Sequence, residues 1–206
     1  MQILEKKNLA LADVQVIRYK RFPDKRGYFT EVFRKNDMAG FAPFVQTNES
    51  HSRPGVIRGL HFQWNPYVGK LVRTVYGHMV DLVLDIRKNS PTFGKIIGYD
   101  MPQSEENDFA EWIWIPPGFA HGNFYKKETT IEYFCTGEYN PKSEAGVCPL
   151  ASDIDWSLCD SNLREQFQSL AGSGQYLISD KDRDGFTVTG WAKDPRSANF
   201  VYQPHD

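Results

Sequence analysis

The amino-acid sequence predicts a mainly β fold, a sandwich or closed barrel, on three observations. Short alternations of apolar and polar residues recur along the chain, and clusters of Gly, Pro, Asn and Asp punctuate them. The repeat is on the order of ten residues, as for the strands of sandwiches and barrels. Aromatic residues make up 14% of the 206 positions, beside 16 Gly and 12 Pro. A chain of this length can bury a sizeable core, so residues 1–206 are expected to form a single domain.

The elements follow in order. "VQVIRYKRF" is a strand ending at the turn "PDKRG" (23–27), and "YFTEVF" resumes in strand style. "KNDMAGFAP" reads as a short helix or loop. "LVRTVYGHMVDLVLDIR" (71–87) reads as a hairpin turning at Gly77-His78, with Val80, Leu82, Leu84 and Ile86 inward. "NSPTFG" is a turn and "KIIGYDM" a strand; "EWIWI" runs into the turn Pro116-Pro117-Gly118, and "NFYKKETTIEYFCTGEY" alternates again. Helices are few, short and mostly C-terminal. The best is "DSNLREQFQSLAG", with Asp160 or Ser161 as N-cap and Gly172 as its stop. The tail from 186 to 206 has no strong pattern.

Composition narrows the function. With 24 Lys+Arg against 26 Asp+Glu, the net charge of -2 argues against a general nucleic-acid or membrane-surface binder. A small anionic ligand held by a few local arginines remains open. No apolar run reaches the ~18 residues a membrane span needs. The N-terminus "MQILEKKNLALADV" lacks the apolar segment and cleavage site of a secretory signal, so cytoplasmic residence is expected. The sequon Asn48-Glu49-Ser50 is then a chance match. Cys135, Cys148 and Cys159 are odd in number and lack metal-ligand spacing, which argues against a disulfide framework.

Two stretches carry chemistry. In "GVIRGLHFQ" (55–63), Gly55-x5-His61 echoes the first half of the cupin pattern, and Pro116-x-Gly118-x-x-His121 echoes the second. Both place a histidine at a strand edge facing a barrel mouth. Gln63 occupies the place of the pattern's next histidine and no glutamate follows, so two imidazoles remain, too few for a secure metal site. A lone histidine in an apolar strand is most often a hydrogen-bonded core residue. It is also the side chain best suited to take protons at neutral pH. Arg58, Lys70 and the acidic "DKDRD" favour the second reading. "DKDRDG" starts like a calcium loop, but its twelfth position is Trp191 rather than glutamate. No GxGxxG fingerprint of a dinucleotide cofactor is present.

The blocks "DKRGYFTEVF", "FVQTNESHSRPGVIRGLHFQ", "GKLVR", "DIRKNSPTFG", "IPPGFAHG", "YFCTGEYNPKSEAGV" and "IDWSL…LISDKDR" occur in the order seen in the dTDP-4-dehydrorhamnose 3,5-epimerase family. The chain resembles that family over about residues 15–185, leaving 186–206 as a C-terminal extension. The resemblance implies a cupin-type jelly-roll barrel and a homodimer that exchanges strands. It also implies a cofactor-free isomerase of deoxysugar biosynthesis. Such an enzyme inverts carbon 3 and/or carbon 5 of a nucleotide-linked 4-keto-6-deoxy sugar through an enolate. His61 matches the family's base and Asp182 the carboxylate that orients it; Lys70 matches the enolate stabiliser and Tyr133 the proton donor on the opposite sugar face. Arg58 and His121 match phosphate contacts, and Arg26 matches one that reaches in from the partner subunit. Phe29, Glu31, Gln46, Asn48 and Tyr139 match residues lining the nucleotide-sugar site.

These roles are chemically coherent, since a proton beside a ketone becomes removable only when charge on the developing oxyanion is stabilised. Departures from the family pattern collect around recognition. The loop from His61 to Lys70 is one residue short, Phe134 stands where lysine is common, and Glu138 takes the first place of a frequent Tyr-Tyr pair. Nucleotide, sugar and the number of inverted centres stay open. So do two other readings: a non-catalytic nucleotide-sugar binding jelly roll, and a metal-dependent cupin enzyme motivated by His61 and His121. The C-terminal extension is expected to cover a subunit partner.

Overall fold

The computed structural model describes residues 1–41 and 43–204. Two antiparallel sheets carry the fold. One takes, in spatial order, β1 (Ile3–Asn8), β2 (Gln15–Lys20), β10 (Phe109–Ile115), β7 (Lys70–Tyr76), β12 (Thr129–Cys135) and β5 (Gln46–Ser52). The other takes β13 (Glu144–Gly146), β6 (Ile57–Gln63), β11 (Phe119–Tyr125), β8 (His78–Asp85) and β9 (Ile96–Pro102). A small hairpin of β3 (Phe22–Asp24) and β4 (Gly27–Phe29) stands apart. Helices α1 (Ser161–Gly172), α2 (Asp180–Arg183) and α3 (Val188–Lys193) all lie in the last quarter. This is the mainly β, cupin-like jelly roll that the sequence predicts. Among the described residues no helix is long and apolar enough to cross a membrane.

The 71–87 stretch is not a hairpin. β7 and β8 belong to different sheets, and Gly77 is the corner between them. Gly77 has φ +91, and a Cβ there would sit 2.2 Å from the Glu128 carbonyl oxygen, so the corner admits only glycine. The face assignment changes as well. Val80, Leu82, Leu84 and Ile86 pack outward against the C-terminal elements, while Met79 and Val83 face the other sheet. A strand buried on both faces reads as one apolar run, which hides the direction of its alternation. "YFTEVF" is corrected too: the strand ends at Phe29, and Thr30–Arg34 has no strand partner. "KNDMAGFAP" contributes a single 3₁₀ turn, Lys35–Met38; its Ala42 lies outside the described residues.

Three apolar layers result. The middle one, between the sheets, holds Val72, Val83, Ile113 and Ile131. One outer layer packs Ile17, Leu71 and Trp112 against Met38, Phe33 and Phe44. The other packs Leu60, Phe62, Leu82 and Leu84 against Leu163 and Phe167 of α1, Trp191 of α3 and Phe200. Fully burying such side chains stabilises by about 1.5–3 kcal/mol each. Helix α1 begins where expected, with Asp160 accepting from the Asn162 and Leu163 amides, a cap worth about 1 kcal/mol. Its stop is Gly174 at φ +67 rather than Gly172, which is the last helical residue.

The C-terminal extension packs on the five-stranded sheet of its own chain. Trp191 is fully buried, Val201 bridges Lys88, and Val147 bridges Phe186.

Candidate active site

Strand alternation alone would put Arg58 and His61, three apart, on opposite faces. The structure puts both on the inner face by means of a β-bulge. Against β11, His61 stands opposite His121 and Arg58 opposite Asn123, so β6 spends three steps where β11 spends two. The extra residue lies at Gly59–Leu60, which returns Leu60 and Phe62 to the outer apolar layer. Gly59 has φ +106, and a Cβ there would meet the Gly122 Cα at 2.5 Å. A Cβ on Gly122 would meet the Arg58 carbonyl oxygen at 2.3 Å. The bulge thus requires glycine on both strands.

His61 faces Asp182. Their Nε2 and Oδ1 atoms are 2.7 Å apart, with the carboxylate 6% exposed and the imidazole 28%. The second carboxylate oxygen accepts the Gly59 amide at 3.1 Å. Ser179 caps α2, its hydroxyl accepting the Asp182 amide, and so fixes the aspartate's backbone. Burial pushes the Asp182 carboxyl up. Hydrogen bonds from His61, Gly59 and Ser179, with the charge of His61, outweigh burial and hold it below the usual carboxylate range. A carboxylate can only accept, so in the neutral imidazole the proton sits on Nε2 and the lone pair on Nδ1. Gly146 of β13 lies close against the ring, where a Cβ would meet His61 Cδ2 at 3.1 Å.

Across the interior, β12 and β7 of the six-stranded sheet supply Tyr133 and Lys70. His61 and Tyr133 therefore stand on opposite sheets. Two cavity lobes meet at His61, Lys70 and Tyr133. One, of about 340 Å³, is walled by Gln46, Asn48, Gln63, Tyr139 and Glu144. The other, of about 280 Å³, is walled by Arg58, His121, Asn123, Lys181 and Asp182. The second lobe gathers cations, whereas the first offers amides, a phenol and one carboxylate.

Burial pushes the Lys70 ammonium down, countered in part by the charges of Cys135, Glu144 and Asp81. Burial, reinforced by Cys135 and Glu144, pushes the Tyr133 phenol up, so it is protonated at neutral pH. Neither side chain makes a hydrogen bond or ion pair among the described residues, which leaves both free to meet a ligand.

A second histidine–carboxylate pair lies deeper. His121 Nε2 is 2.7 Å from Asp81 Oδ2, and both residues are buried. Burial pushes Asp81 up and His121 down, so the pair favours neutral forms. Among the described residues Asp81 Oδ1 has no hydrogen-bond partner.

Of the residues singled out in the sequence, His61, Asp182, Lys70, Tyr133, Arg58, His121, Gln46, Asn48 and Tyr139 line these lobes. Gln46 accepts the Tyr139 amide and donates to Asn48. Three lie elsewhere in the single chain. Arg26 pairs with Asp24 on the β3–β4 hairpin, Phe29 is 70% exposed beside it, and Glu31 pairs with Arg34 and the N-terminus. Sequence reasoning missed Asp81, Gln63's part in the wall, Glu144 and Lys181, which is ion-paired to Glu144. Asp81 carried a signal, a carboxylate within the apolar run "MVDLVLD". Glu144 and Lys181 carried none. Among the described residues no cluster of three His, Cys, Asp or Glu side chains could hold a metal ion. The three cysteines are unpaired.

Comparison with known proteins follows the same lines. A family profile described as dTDP-4-dehydrorhamnose 3,5-epimerase matches residues 8–189. A relative of that name from Neisseria gonorrhoeae is 44% identical over 196 residues, covering 92% of this chain; the chain spans only 53% of that relative's length. One from Shigella flexneri is 39% identical over 181 residues, covering 85% of this chain and 91% of its own. A Legionella pneumophila crystal structure, described as a dTDP-6-deoxy-D-glucose-3,5-epimerase in complex with dTDP-4-keto-L-rhamnose, superposes with a TM-score of 0.78 at 32% identity. It covers 97% of this chain and 99% of its own.

Proposed function

Because the chain belongs to the dTDP-4-dehydrorhamnose 3,5-epimerase family, we propose that it inverts carbon 3, carbon 5 or both of a nucleotide-linked 4-keto-6-deoxy sugar. The observation that carries this reading is the pairing across one cavity: an imidazole backed by a carboxylate on one sheet, a protonated phenol on the other. His61 Nδ1 takes the proton beside the ketone, and the C–H electron pair becomes the enolate. The Lys70 ammonium stabilises the oxygen that gains charge, a contribution whose removal typically costs about 100 to 1,000-fold in rate. Asp182 stabilises the imidazolium formed. The Tyr133 hydroxyl then delivers its proton to the opposite face of the same carbon, and solvent restores both groups. The chain's own residues carry every one of these steps.

The substrate's diphosphate is assigned to the lobe holding Arg58, Lys181 and His121, where the two cations suit phosphate oxygens and the neutral imidazole adds a polar contact. The nucleoside is assigned to the lobe of Gln46, Asn48 and Tyr139. A homodimer completes the site: Arg26, Phe29 and Glu31 of one subunit enter the partner's cavity. The exposed aromatic side chains of Phe22, Tyr28 and Phe29 around the β3–β4 hairpin support this assembly. Light scattering on the eluted protein is expected to give twice the 23.7 kDa chain mass.

The test of function is incubation with a panel of 4-keto-6-deoxy sugar nucleotides, with product stereochemistry read by NMR. Inversion at carbon 3 or carbon 5 in at least one supports the reading. Binding of dTDP with every centre unchanged would instead favour a non-catalytic binder.

A further inference from the structure

The C-terminal extension packs against the back of the strand that carries His61. Trp191 of α3 is fully buried, with its ring centroid 4.6 Å from Phe62, the residue after His61. Phe200 meets the same Phe62 edge-on at 5.7 Å. The extension also grips the segment 64–69, which leads from β6 to Lys70. Trp64 lies 6.4 Å from Trp191, and Tyr67 packs on Phe200 at 5.6 Å. The Tyr67 hydroxyl donates to the Asn199 carbonyl at 2.9 Å. A third cavity of about 290 Å³, lined by Gly59, His61 and Asp182, has Arg196 on its wall. That guanidinium stacks over Trp64 and Phe186 and is held by Asp194. The same few side chains thus touch both the strand of the proposed base and the segment leading to the proposed oxyanion stabiliser.

We propose that residues 188–202 are a positioning element. They brace β6 and the 64–69 segment from outside the barrel, and so set the placement of His61 and Lys70 relative to Tyr133. None of these residues lines either lobe where His61, Lys70 and Tyr133 meet, and only Arg196 shares a cavity wall with His61, so Trp191, Tyr67 and Phe200 act through the strand and not on substrate. This rests on the epimerase reading above. Most of the segment lies beyond residue 189, where the match to the family profile ends.

The physical consequence is specific. Displacing a reacting group by ~1 Å can cost on the order of 100-fold in rate while leaving ground-state binding intact. Trp191→Ala removes the buried ring from behind Phe62. It is expected to lower kcat about 10 to 100-fold, with KM and the Kd for dTDP within about twofold of wild type. Trp191→Phe keeps an aromatic ring and removes an indole N–H that is buried without a partner among the described residues. It should therefore recover most of the lost kcat. Should Trp191→Ala not fold, Tyr67→Ala serves in its place. Tyr67 is 49% exposed, and the substitution frees the 64–69 segment by deleting one hydrogen bond and one ring contact.

The experiment is steady-state kinetics and dTDP titration of these variants below their melting temperatures. A fall in kcat alone, rescued by phenylalanine, supports the brace. Folded variants with wild-type kcat would overturn it, as would kcat and dTDP affinity falling together, since that marks general loosening. Wild-type protein that epimerises no 4-keto sugar nucleotide would instead remove the reading on which the proposal stands.

Discussion

Two histidine–carboxylate pairs share this cavity, and the spacing does not distinguish them. His61–Asp182 and His121–Asp81 each close at 2.7 Å through Nε2. The difference lies in what else the carboxylate touches. Asp182 accepts the Gly59 amide on its second oxygen and is held below its usual range. The second oxygen of Asp81 has no hydrogen-bond partner among the described residues, and burial pushes that carboxyl up. The first pair can hold an imidazolium beside a settled anion; the second favours neutrality. In such a pair the depth of burial and the further donors on the acid, more than the distance to the imidazole, set which histidine stands beside a settled anion.

This contrast can be broken most forcefully at the histidines. His61→Ala is expected to lower kcat about 100 to 10,000-fold, the usual range for a general base. His121→Ala should act mainly by raising KM, with kcat within about tenfold. Equal losses of kcat would erase the distinction. Next in size is Lys70→Met, expected to cost about 100 to 1,000-fold in kcat, read in the same steady-state assay. A loss confined to KM would make Lys70 a binding group.

The carboxylates give a smaller and sharper comparison. Asp182→Asn leaves the His61 ring without an anion and should lower kcat by about 100-fold. Asp81→Asn can still accept from His121 and should change kcat less than about fivefold.

The gentlest test is the pH dependence of stability, where the two acids carry opposite signs. The folded-state pKa of Asp182 lies below the ordinary 3.8, so its contribution is present above that value and lost as pH falls through the folded one. That of Asp81 is raised, so its contribution is present below 3.8 and lost as pH rises through the folded value. Relative to wild type, Asp182→Asn should therefore lose melting temperature as pH rises from acid, and Asp81→Asn should gain it. Parallel curves would refute the assignment of the two environments.

The strand pattern, the α1 cap and the family blocks were legible in the sequence because they depend on local spacing. The split of β7 and β8 between sheets was not. An apolar run buried on both faces looks the same whether its turn pairs two strands or joins two sheets, and Gly77 serves either. The motif around His61 could be read, but the bulge that aims Arg58 and His61 together depends on contact between Gly59 and Gly122, far apart in the chain. Glu144 and Lys181 reach the cavity only through tertiary packing. The extension from 186 onward showed no periodicity because its apolar residues reach the outer layer from short, separate elements: Trp191 from α3 and Phe200 from the chain after it converge on Phe62.

The most direct test is to follow deuterium entering beside the ketone when substrate turns over in deuterated water. Wild-type protein should incorporate one deuterium at each inverted carbon, Tyr133→Phe should exchange without inverting, and His61→Ala should do neither while His121→Ala still does both. Exchange that survives in His61→Ala, or disappears with His121→Ala, would contradict the account.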